Sequence, residues 1–128
     1  MLGVLMDRRI LIVDDSAFAR RKLRQILEGA GYAIEEAASG AEALEKYSHL
    51  KPHVVFLDLV MEGMDGCSVL AQLRAIAPEA NVIVATADVQ SATRDEVFRL
   101  GARDLINKPF KPEEVLAAVR RAAERAGP

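Results

Sequence analysis

Val54-Val55-Phe56-Leu57-Asp58 is a run of four apolar residues closed by an acid. An uninterrupted apolar run of this length, rich in β-branched and aromatic residues, suits a strand buried on both faces, as in a parallel sheet. After the acid comes Leu59-Val60-Met61-Glu62-Gly63-Met64-Asp65-Gly66, read as a loop with two glycines and an aspartate. In open α/β sheets ligands gather at the carboxyl ends of the strands, which is where Asp58 falls. The structural alternative is that Asp58 caps the next helix. Asp65 stands nearer to that helix and is the better cap, so Asp58 is read as a chemical group.

Working outward, strands and helices alternate at short spacing. Ile10-Leu11-Ile12-Val13 is a second apolar run, and it ends in Asp14-Asp15. A helix follows over about 16–28, with Ala19, Leu23, Ile26, Leu27 and Ala30 on one face and Gly31 as its stop. Residues 32–37 mix apolar and acidic side chains, as an edge strand does. Ser39-Gly40-Ala41-Glu42 has capping-box spacing and opens a helix to about residue 50. Beyond Asp58, the pattern predicts a helix over about 67–77, a strand over 82–85 ending in Thr86, and a helix over about 91–100 with Val89, Val97 and Leu100 inward. It ends with a short strand at Leu105-Ile106, then Asn107-Lys108-Pro109, and a last helix from Pro112. Glu113 and Glu114 suit the start of that helix, and Arg120, Arg121 and Arg125 suit its end. The sum is a five-fold βα repeat: one parallel five-stranded sheet with helices on both faces.

Size and composition narrow the function classes. The 128 residues make one domain, with residues 1–7 as a leader and 8–126 as the domain. With 51% hydrophobic and 28% charged residues, the chain has the balance of a globular protein. A net charge of −2 does not point to nucleic acid or a membrane surface. No apolar run approaches the ~18 residues that span a bilayer. Residues 1–7 lack the cationic start and apolar core of a signal peptide, and the single Cys67 suits a reducing cytoplasm, so a cytoplasmic location is expected. Cys67 itself reads as a small apolar helix residue. His49 and His53 read as surface residues away from the acids.

Three strands thus end in a carboxylate or hydroxyl (Asp14-Asp15, Asp58, Thr86) and the fifth is followed closely by Lys108. Acids gathered in one crevice repel and raise one another's pKa, a conflict that a hard divalent cation removes. A lysine ammonium and a threonine hydroxyl add donors for a phosphoryl oxygen. Such a set suits phosphoryl transfer, with a carboxylate nucleophile giving an aspartyl phosphate.

Asp14-Asp15, Asp58, Thr86-Ala87 and Lys108-Pro109-Phe110 on this framework resemble the receiver domain of two-component response regulators, over about residues 9–126. The resemblance implies a flavodoxin-like doubly wound sheet of order 2-1-3-4-5. It implies that Asp58 accepts a phosphoryl group from a histidine kinase or histidine phosphotransfer protein. Asp14, Asp15, Asp58 and the main-chain carbonyl of Val60 would hold Mg²⁺, with Mn²⁺ as a substitute. Thr86 and Lys108 would contact the phosphoryl group, and Pro109 would follow a cis bond. It also implies a monomer, dimerising on phosphorylation as the alternative, that passes its signal to a separate protein target without a fused output domain. Catalysis would be confined to its own phosphorylation and dephosphorylation.

Some positions depart from the family pattern. Leu105 replaces the usual aromatic residue three before the lysine, which weakens the expected coupling to Thr86. Glu62 replaces the usual proline of the loop. Val60 and Asp88 fill positions that tune phosphate lifetime: Val60 cannot orient a water, whereas Asp88 either orients or repels one. Arg20, Arg21, Lys22 and Arg24 read as a basic face of the first helix beside Phe18, either solvated or docking a kinase, and Phe98 with Leu105 reads as an output patch. Two other classes fit less well. A haloacid-dehalogenase-type hydrolase needs an Asp-x-Asp pair and a cap, and a phosphorylation-independent adaptor need not keep these acids and Lys108. No Gly-rich nucleotide loop occurs.

Overall fold

The computed structural model describes residues 8–61, 63–87 and 90–126. The leader, Glu62, Asp88 and Val89 lie outside these described residues. Five strands, β1 (Arg9–Val13), β2 (Ala33–Ala37), β3 (Val54–Leu57), β4 (Val82–Thr86) and β5 (Asp104–Asn107), form one sheet in the order β2-β1-β3-β4-β5. Every pairing in it is parallel. The helices are α1 (Ala17–Gly29), α2 (Gly40–Leu50), α3 (Gly66–Ile76), α4 (Ser91–Arg99) and α5 (Pro112–Ala126).

Because successive strand residues point to opposite faces, the sheet separates two cores. On one side Leu11, Val13, Val55, Leu57 and Val84 pack with Ala43 and Tyr47 of α2, Val69, Leu70 and Leu73 of α3, and Val97 of α4. On the other, Ile10, Ile12, Phe56 and Ile83 pack with Leu23 and Leu27 of α1 and with Val115, Ala118, Val119 and Ala122 of α5. Every residue of β3 and β4 is buried, as their apolar runs require. On β2, Ala33 and Glu35 are exposed, as an edge position allows.

Two local features differ from the sequence expectation. The stretch after Asp58 is a ribbon rather than an irregular loop: Val60–Met61 pairs antiparallel with Met64–Asp65, and the turn contains Gly63 at φ 80°. β5 extends beyond its apolar pair to Asp104 and Asn107, which pair with Ile83 and Thr86. Those polar ends hid the strand's full length, not its existence. By contrast, α4 runs as its spacing predicts, with Val97 buried and Leu100 packed against the same core.

The helix starts follow their caps. Ser16 Oγ accepts from the Ala19 N–H, Asp65 caps α3 by accepting from Cys67, and Ser39 Oγ accepts from the Glu42 N–H at 3.2 Å. Glu42 returns the contact one residue early, accepting from the Ala38 N–H at 2.7 Å. Replacing Ser39 with alanine strands that donor, and urea unfolding is expected to show a loss of about 1 kcal/mol.

Candidate functional site

The sheet register brings the site residues together. Val13 pairs with Leu57, so Asp14 and Asp58 leave the sheet side by side. The Asp58 N–H donates to Val13 O at 3.0 Å, and the Asp14 N–H donates to Ala37 O at 3.1 Å. Leu57 pairs with Val84, so Thr86 lies two residues beyond on the next strand. Thr86 pairs with Asn107, and the Lys108 N–H donates to Thr86 O at 2.9 Å. The Lys108–Pro109 bond is cis.

Asp14, Asp15 and Asp58 each offer a carboxylate oxygen within 4.8 Å of the others. Asp14 and Asp58 are buried and Asp15 is exposed. Lys108 Nζ lies 2.8 Å from Asp14 Oδ2 and 3.6 Å from Asp58 Oδ1, so it spans both buried acids and sits closer to Asp14. Asp14 Oδ1 also accepts from the Ser16 N–H at 2.9 Å. Burial first, and then the charge of Asp14, push the Asp58 carboxyl above its ordinary range. Lys108 and the Val60 main-chain N–H only partly offset that.

This donor set fits a hard divalent cation. It offers oxygen ligands only, from carboxylates close enough to share an ion whose bonds are about 2.1 Å long, and it holds one buried acid at a cost that a cation would relieve. Mg²⁺ or Mn²⁺ suits it better than zinc, which prefers nitrogen and sulfur.

Other predicted positions fall as follows. Thr86 is fully buried, the Val60 side chain points into solvent, and Leu105 is 8% exposed within the core. Phe98 is 40% exposed, with the Arg94 guanidinium over its ring. Leu105 is therefore no surface partner for Phe98, because its register opposite Val84 turns it inward. The basic face of α1 also needs correction: Arg20 and Arg24 are ion-paired with Glu36 of β2, so Arg20 is largely covered. His49 Nδ1–H donates locally to Glu45 O at 2.9 Å, on a helix end. Burial, then the charge of Asp65, push the Cys67 thiol up, against a reactive role.

Two features were missed in the sequence. A hydrophobic groove of about 380 Å³ lies against the site, lined by Phe18, Ala19, Lys22, Ala87, Pro109 and Phe110 together with Lys108. Gly66 is the second. A Cβ there would lie 2.4 Å from Leu59 Cα and 2.5 Å from Asp58 O, so α3 meets the Asp58 segment backbone to backbone. Its N–H donates to Leu59 O at 2.9 Å. Next to Asp65, this glycine reads in the sequence as a turn residue, and only the approach of the two chains explains it.

The family model described as the response regulator receiver domain matches residues 10–120. The chain belongs to the response regulator receiver family. This receiver is 42% identical over 120 residues to the chemotaxis protein CheY of Thermotoga maritima, covering 93% of this chain and 100% of that one. A CheY-like receiver domain protein from Methanospirillum hungatei superposes with a TM-score of 0.87 at 28% identity, covering 93% and 95% of the two chains. A solved CheX–CheY–BeF₃–Mg²⁺ complex from Borrelia burgdorferi aligns with a TM-score of 0.84 at 34% identity, covering 87% and 85%. Phosphorylation on an aspartate is typical of the family, and its receivers bind Mg²⁺ at an acidic site. Response regulator receivers are not classical enzymes.

Two outcomes follow from this geometry. Gly66→Ala forces the backbone of Leu59 aside and is expected to cost about 2 kcal/mol in urea unfolding. Asp58 has a raised folded pKa, so its contribution favours the fold at low pH and turns against it as pH rises through that value. In metal-free buffer at pH 7, Asp58→Asn is therefore expected to raise the melting temperature by roughly 5 °C, with the gain vanishing near pH 4.

Proposed function

We propose that Asp58 is the phosphoacceptor, receiving its phosphoryl group from a histidine of a partner kinase or phosphotransfer protein. The observation that carries this is the convergence of Asp14, Asp15 and Asp58 oxygens within 4.8 Å, with Lys108 Nζ 3.6 Å from Asp58. An Asp58 carboxylate oxygen attacks phosphorus as the P–N bond breaks, and the imidazole leaves with the bond's electron pair. Asp15 directly, Asp14 mostly through water, Asp58 and the Val60 carbonyl would hold Mg²⁺. Bound there, the ion neutralises phosphoryl charge and aligns the reacting groups.

The chain's own donors do the rest. Lys108 exchanges Asp14 for a phosphoryl oxygen, replacing one anionic partner with another. The Thr86 hydroxyl donates to a second oxygen. Val60 leaves the approach to the acyl phosphate without a water-orienting group, and Asp88 is the other lifetime-tuning position. Exposed Phe98 stands at the output side, and buried Leu105 responds to Thr86 only by repacking. The groove beside Phe18 and Phe110 suits the donor protein, because it opens onto Lys108. A separate protein target reads the phosphorylated state, which is populated only as far as the two states hold the phosphoryl group differently. We place this chemistry in the cytoplasm, in a receiver that acts as a monomer and catalyses only its own phosphorylation and dephosphorylation.

Incubation with acetyl phosphate tests the assignment by intact-mass measurement. Wild type is expected to gain one phosphoryl group with Mg²⁺ and none in chelator, and Asp58→Ala is expected to gain none. Equal labelling of Asp58→Ala, or wild type left unmodified by every donor, would overturn it.

A further inference from the structure

The acid pair Asp14-Asp15 joins β1 to α1, and its main chain is gripped from outside the acid cluster. Arg20 lies one turn into α1, with its own N–H bonded to Ser16 O at 3.0 Å. Its guanidinium reaches back so that Nη1 donates to the main-chain carbonyl of Asp14 at 2.7 Å while Nε donates to Glu36 Oε1 at 2.7 Å. Only 18% of the Arg20 side chain is exposed. Glu36 is held in turn. Arg24 donates to its other carboxylate oxygen, and Lys46 donates to its main-chain carbonyl. Burial would push the Glu36 carboxyl up, but the hydrogen bonds from Arg24 and Arg20 hold it below its ordinary range. The residue after Glu36, Ala37, takes the Asp14 N–H. Both main-chain polar groups of Asp14 are thus tied to the β2 region, one directly and one through Arg20.

We propose that Arg20, locked in place by Glu36, is a positioning residue that fixes the Asp14 main chain and thereby sets the affinity of the acid cluster for a divalent cation. The inference rests on the metal-site reading of Asp14, Asp15 and Asp58. Groups that orient ligands from behind typically change metal affinity by about 10- to 100-fold when removed. The guanidinium fork matters as well as the charge, since a lysine ammonium on a flexible stem does not hold two acceptors in one plane.

Electrostatics and positioning predict opposite signs here. Deleting a positive charge beside three carboxylates should tighten cation binding. Deleting the clamp should weaken it, because Asp14 and Asp15 are then free to pivot.

Titration of the whole chain with MgCl₂ by isothermal calorimetry, beside the melting temperature of the metal-free protein, separates the two. Arg20→Gln is expected to weaken Mg²⁺ binding about tenfold. Arg20→Lys and Glu36→Gln are expected to weaken it less, and these milder variants carry the test if Arg20→Gln does not fold. Arg21→Gln, the same charge change on the neighbouring exposed residue, is expected to leave affinity unchanged or slightly higher. Folded Arg20 variants that bind Mg²⁺ as tightly as wild type would overturn this inference alone, as would an equal loss in Arg21→Gln. A wild type that does not bind Mg²⁺ at all would overturn the metal-site reading and this inference with it.

Discussion

Three carboxylates are pressed together at one end of a parallel sheet, and a single ammonium group from the far end of the chain holds two of them. The Lys108–Asp14 contact joins residues 94 positions apart, and it forms because β4 and β5 lie beside β3 and β1 in the doubly wound order. In a parallel sheet every strand delivers its last residue to the same edge, so a few strand-terminal polar residues suffice to make a site. Here the same register that buries Leu57 and Val84 also sets Asp58 beside Asp14 and leaves Thr86 one strand away.

The site is arranged against the interest of the resting fold. Burying a carboxylate without full compensation costs free energy, and among the described residues Lys108 and the Val60 N–H are what favour the charge of Asp58. The two apolar cores carry that cost: one packs three helices against the sheet and the other packs two. Compensation is uneven. Asp14 has partners at every polar atom, whereas Asp58 remains the group with an energetic reason to bind a cation or to lose its charge. An asymmetry of this kind gives one carboxylate the reactive part and its neighbours the supporting one.

Much of this was legible in the sequence because strong signals coincide there. The apolar run 54–57 is too short for a helix and too continuous for a half-exposed strand, and Asp65 rather than Asp58 caps the following helix. Asp14, Thr86 and Lys108 each follow or close a strand, so the topology alone brings them near Asp58. What stayed hidden depends on three-dimensional approach. Gly66 looks like half of a turn until the backbone of Leu59 is placed against it. Arg20 looks like one more charge on a basic helix, since no periodicity reveals that Glu36 on another strand claims it. Leu105 looks like a surface position when judged against the aromatic residue it replaces. Its pairing with Val84 puts it inside instead.

The main-chain bond from Lys108 to Thr86 has a mechanical consequence. It pins Thr86 and Lys108 at a common pivot, so neither strand can slide along the other without breaking that bond. Adjustment around the crevice is then left to rotation about side-chain bonds and to α4. With Val97 buried and Leu100 packed at its end, that short helix is seated by fewer side chains than α3, which buries Val69, Leu70 and Leu73. A rigid pivot with a loosely seated lever beside it turns a small local torque into a broad change of surface.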